Sequence, residues 1–144
     1  MMKEKKNGEL TAAAIANALG VILFNTVPLW RQYTRGVVLQ DFVQILWAAN
    51  LSFLVQLIGN LAMIFYRPPR FAGIVQILGT GASLVSLIVF FVVFPLDFSA
   101  VGVAWLNSAL KVVMIAGMGG AALGLIVHSV QLGSGWRDVA YTSR

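Results

Sequence analysis

The sequence predicts an all-α fold, a polytopic integral membrane four-helix bundle that forms a single domain over residues 1–144. Three observations predict it. Hydrophobic residues make up 59% of the chain and charged residues only 10%, whereas ordinary soluble domains are about 25% charged. Mean hydropathy is +0.86. The apolar residues gather in four runs separated by short loops, which leaves no stretch for a soluble domain. A bilayer core about 30 Å thick needs roughly 20 helical residues at about 1.5 Å each, and every run is long enough.

The first run, residues 10–30, follows a polar leader carrying Lys3, Lys5 and Lys6. Thr11 is placed to cap a helix, and Trp30 and Tyr33 fall where aromatic belts form. A secretory signal would end in small residues arranged for cleavage. This run ends Val27-Pro28-Leu29-Trp30-Arg31 instead, so it is expected to be an uncleaved span.

The second run, residues 37–66, organises the chain. It holds one charge, Asp41, and stops at Arg67-Pro68-Pro69-Arg70. At helical spacing Asp41, Gln44, Ala48, Ser52, Gln56 and Gly59 share one face, with Asn60 beside them, while Val43, Leu46, Phe53, Leu54, Leu57, Leu61 and Ile64 lie opposite. One face is expected to meet protein or water, and the other lipid. Asn50 breaks the pattern and marks a second helix contact.

The third run, residues 71–94, turns at Pro95-Leu96-Asp97-Phe98-Ser99 and carries a related stripe of Gln76, Gly79, Thr80 and Ser83. The fourth, residues 101–132, contains Lys111. It reads either as one long tilted helix or as an interfacial start followed by a span from about residue 112. Ala116, Gly120 and Gly124 recur at four-residue spacing, a pattern that lets helices approach closely, within the chain or between copies. His128 continues that row. Residues 133–144 read as a short, frayed tail.

Basic residues near span ends are retained in the cytoplasm. Lys3, Lys5, Lys6, Arg67, Arg70, Arg137 and Arg144 fall on one side and Arg31 and Arg35 on the other. Both termini are therefore expected to be cytoplasmic. The lysine-rich leader and compact loops fit a bacterial inner membrane. The net charge of +5 is spread over loops and ends, with no basic face for nucleic acid.

Asp41 and Lys111 lie equally far before Arg67 and Arg137, in runs of the same direction, so an intramembrane ion pair is geometrically open to them. With Gln44, Gln56 and His128 they form a candidate polar site. The competing reading has each charge reaching the headgroups separately, Lys111 by snorkelling. Enzyme chemistry has no support: cysteine is absent, the five acids do not cluster, and no nucleophile elbow, phosphate loop or metal motif occurs. A single histidine cannot supply both axial ligands of a haem within one chain, and no cofactor or metal is implied. The expected function is a non-catalytic accessory or scaffold subunit whose partners are the lipid bilayer and other membrane helices, from larger subunits or from copies of itself. The alternative is a small homo-oligomeric transporter or channel using Asp41 and Lys111.

Overall fold

The structure is a computed structural model. It describes the backbone of residues 2–66 and 68–142 and the side chains of residues 7–66, 68–130, 132 and 133. Four helices follow one another: α1 (Met2–Trp30), α2 (Phe42–Phe65), α3 (Pro69–Val93) and α4 (Trp105–Thr142), with single 3-10 turns at Arg31–Tyr33 and Phe98–Val101. All four are long and apolar enough to cross a membrane. The described chain is all-helical, as a membrane helical bundle requires. The side chains of Lys3, Lys5, Lys6 and Arg137, and Arg67 and Arg144 altogether, lie outside the described residues.

Each helix packs on its neighbour in sequence, α1 on α2, α2 on α3 and α3 on α4, while among the described residues α1 and α4 do not meet. The helices form an open series. Such sparse packing suits an apolar medium, where lipid tails are as hydrophobic as leucine and helices gain little by burying side chains against one another.

The element boundaries differ from the sequence expectation for identifiable reasons. Helix α1 starts at Met2, not at residue 10, because the leader is rich in helix-forming lysine, glutamate and methionine. Thr11 is not a cap: it lies inside the helix and its hydroxyl donates to the Asn7 carbonyl at 2.9 Å. Residues 37–41 are not helical. There the Leu39 N–H donates to the Pro95 carbonyl at 3.0 Å and the Asp97 N–H to the Val37 carbonyl at 2.8 Å, an antiparallel bridge centred on Val38 and Leu96. Helix α3 begins earlier than expected, at Pro69, because a proline in the first turn surrenders an N–H that has no helical partner anyway. It ends before Phe94, which takes left-handed geometry at φ 38. Residues 98–101 wind into a 3-10 turn, so α4 starts at Trp105, then runs unbroken through Lys111 and on to Thr142. The one-long-helix reading holds from Trp105, and the backbone of the expected tail is helical as far as Thr142.

The apolar core lies at the bridged end. Val38, Phe42 and Ile45 are buried there, against Phe24 of α1 and Phe90 and Val93 of α3. Pro95 is as deeply buried as Ile45. The adjoining loop is held by Asp97, whose carboxylate accepts from the Ser99 N–H at 2.9 Å, the Ser99 hydroxyl at 2.5 Å and the Asn107 amide at 3.2 Å. The Asn107 carbonyl in turn accepts from the Phe98 N–H at 3.0 Å. These bonds to Ser99, and then to Asn107, favour the ionised carboxylate and hold the Asp97 pKa below its ordinary 3.8.

Candidate functional site

Helix α2 has neighbours on two sides, and its polar residues divide between them. On the α1 side, Asn25 and Asn50 exchange amide hydrogen bonds: the Asn25 NH2 donates at 2.7 Å, and the Asn50 NH2 donates back at 3.2 Å. Asn50 departs from the polar face because it serves this second contact. Phe53, expected to face lipid, packs on α1 instead. Its ring lies edge-on to Phe24 at 5.3 Å between centroids, and it fills the space over Gly20, where a Cβ would stand 2.7 Å from the ring.

On the α3 side the expected face does meet protein. The Ser83 hydroxyl donates to the Gly79 carbonyl at 3.0 Å, which uses its only proton. The Ser52 hydroxyl is therefore the donor in its 3.2 Å bond to Ser83. The Gln56 NH2 donates to both serine oxygens, at 3.1 and 2.9 Å. Ser52 is buried, at 7% exposure, and its hydroxyl both donates, to Ser83, and accepts, from Gln56. Glycines on both helices allow this approach. A Cβ on Gly59 would stand 2.5 Å from Val75 Cγ1, and one on Gly79 would stand 3.4 Å from Gln56 Cγ.

Beside this cluster is a cavity of about 260 Å³ lined by Gln56, Asn60, Met63, Val75, Gln76, Gly79, Thr80 and Ser83. None of these residues is charged. The side chains of Asn60, Gln76 and Thr80 make no hydrogen bond among the described residues.

The remaining candidates do not converge on this cavity. The Asp41 carboxylate, at the start of α2, accepts from the Gln44 amide at 2.8 Å, and both residues are exposed. Lys111 places its ammonium 4.5 Å from the centre of the Phe94 ring. Among the described residues α2 and α4 are not neighbours, and the ion pair open to Asp41 and Lys111 by sequence is not formed. Gly124 faces Thr80, with 3.7 Å from its would-be Cβ, and Gly117 faces Leu87 at 3.6 Å, while Ala116 and Gly120 are exposed. Of the row Ala116, Gly120, Gly124, it is Gly124 that meets α3 within the chain, and Gly117, exposed like Ala116 and Gly120, touches Leu87 beside it. His128, one turn beyond Gly124, has a buried Nδ1 without a hydrogen-bond partner among the described residues.

Chemically, the α2–α3 site offers neutral amides and hydroxyls that donate and accept hydrogen bonds. Neither serine has a base beside it, because their partners are each other, Gln56 and a backbone carbonyl. No described His, Asp and Glu side chains gather in threes. Comparison with known proteins gives no guide. No protein-family model, curated protein or solved structure matches this chain.

Sequence reasoning missed Gly20, Asn25 as the partner of Asn50, and the Asp97, Ser99 and Asn107 network. The last had a local signal, since Asp followed two residues later by Ser is a common turn pattern.

Proposed function

We propose that the chain is a four-span protein of the bacterial inner-membrane type with both termini cytoplasmic, acting as a non-catalytic accessory or scaffold subunit that binds other membrane helices. The observation that carries this reading is the open helix series: among the described residues α1 and α4 each have one helical neighbour and do not meet each other. Their remaining faces are available to partner helices. Helix α4 supports the same reading, because Gly119 and Gly120 are exposed with nothing within 4 Å of where a Cβ would stand. Small residues on a free face let a second helix come close enough for backbone contact. The orientation rests on the seven basic residues assigned to the cytoplasmic side.

The test is the mass of the complex released from its native membrane in mild detergent, for the wild-type chain and for Gly120→Leu. A complex containing further chains that falls at least tenfold in yield with the variant is the expected result. Thermal stability of the isolated chain should change little, since no described atom lies within 4 Å of the Cβ the substitution adds. A monomer from both, or an assembly indifferent to the change, removes the α4 interface.

A further inference from the structure

We propose that the cavity between α2 and α3 binds the head of an uncharged, lipid-soluble molecule that carries carbonyl groups, with its apolar tail left in the surrounding lipid. The argument begins with position. Counting along α2 and α3 from Phe65 and Pro69, Asn60, Gln76 and Gln56 lie about 8, 10 and 14 Å from the helix ends. These depths are within apolar helix, where water is scarce and an unpaired amide is costly.

Unpaired groups are nonetheless what the cavity presents. The Asn60 and Gln76 amides and the Thr80 hydroxyl have no partner among the described residues, and Gln56 uses its NH2 on the serines while its carbonyl oxygen has none. Free donors on three side chains call for acceptors in a ligand, while the free oxygens of Asn60, Gln76, Thr80 and Gln56 equally admit a hydroxyl beside them. A carbonyl compound supplies acceptors without charge. An anion is disfavoured because no lining residue is charged, and an uncompensated charge in such a setting would have to be desolvated.

Size and access narrow the class further. At about 260 Å³ the space lies just below the roughly 300 Å³ at which pockets for whole small molecules begin, so it suits a head group and not an entire ligand. Met63 and Val75 supply the apolar part of the wall, and Gln76 is exposed at its edge. Among the described residues none of α1 or α4 lines it, although α4 reaches its edge where Gly124 meets Thr80, so a tail can lie along the α2–α3 seam. Carbonyls of this kind occur on a quinone-type ring or on the acyl esters of a neutral lipid.

The full chain reconstituted in phosphatidylcholine nanodiscs is titrated separately with decylbenzoquinone and with dioleoylglycerol, and bound molecules are counted by native mass spectrometry. One saturable site for either probe is expected, and the probe that saturates identifies the source of the carbonyls. Asn60→Leu combined with Gln76→Leu should weaken that binding at least tenfold. Thr80→Val, which removes only a hydroxyl and keeps the shape, should weaken it several-fold in a chain that folds normally. Absence of saturation by both probes, equal binding by Thr80→Val and wild type, or disulfide formation between copies carrying Gln76→Cys would each overturn the proposal. The outcome is separate from the accessory reading, because Gly120 lines no part of the cavity.

Discussion

The two ends of the α2–α3 pair are held together by different means. At the bridged end, Val38, Phe42 and Ile45 are buried under aromatic and aliphatic side chains, and two loops share backbone hydrogen bonds. Toward the other end the contact is made by serine, glutamine and glycine, and beside it lies a cavity with unpaired amides. The difference shows what each device can do in an apolar medium. Apolar side chains fill space but find lipid nearly as good a neighbour as protein, so they need a loop clasp to fix where they meet. Polar side chains fix the register themselves, since sliding the helices leaves their hydrogen bonds unmade.

Three perturbations sharpen this contrast. Gly59→Leu should have the largest effect, because even its Cβ would lie 2.5 Å from Val75 Cγ1 and valine is stiff at that bond. A loss of about 3 kcal/mol is expected in detergent unfolding, at the upper end for overpacking; a loss near zero would mean that α2 and α3 separate freely at this end. The Asn25 and Asn50 pair should contribute less. A double-mutant cycle with leucine at each position should give a coupling of about 0.6 kcal/mol, with roughly 1.7 as the ceiling for such bonds, and zero coupling would show the two amides acting independently.

The smallest effect concerns the clasp. Asp97 has its pKa lowered in the folded chain from the ordinary 3.8, so its contribution is complete above that value and is lost as pH falls through the lower folded value. Hydrogen exchange in residues 94–107 should therefore quicken relative to the rest of the chain below pH 3.8, while Asp97→Asn should show no such step. Acid sensitivity in the α2–α3 polar cluster instead would contradict the assignment, because Ser52, Gln56 and Ser83 do not titrate.

The four helices were legible because each is a long apolar run, a signal that survives any arrangement of its neighbours. The polar face of α2 was legible for a similar reason: Ser52, Gln56 and Gly59 recur on one side and do meet α3. Residues 37–41 were misread because Val37 and Val38 look like a continuation of the apolar run, while the backbone bonds that hold the segment out of the helix come from Pro95 and Asp97, far along the chain. Asp41 and Lys111 were matched on sequence distance alone, which carries no information about which helices are adjacent. Gly20 had no periodic companion to draw attention to it. The cavity was visible only as residue types, because the vacancy of its amides depends on how α2 and α3 are set against each other.

The bridge between Val38 and Leu96 closes a ring. Helices α2 and α3 are already joined through the short connection between Phe65 and Pro69, and the bridge fastens their other extremities by pairing the loops before α2 and after α3. The serine, glutamine and glycine contacts lie between these two fastenings, so α2 and α3 cannot splay at either end without one of them giving way.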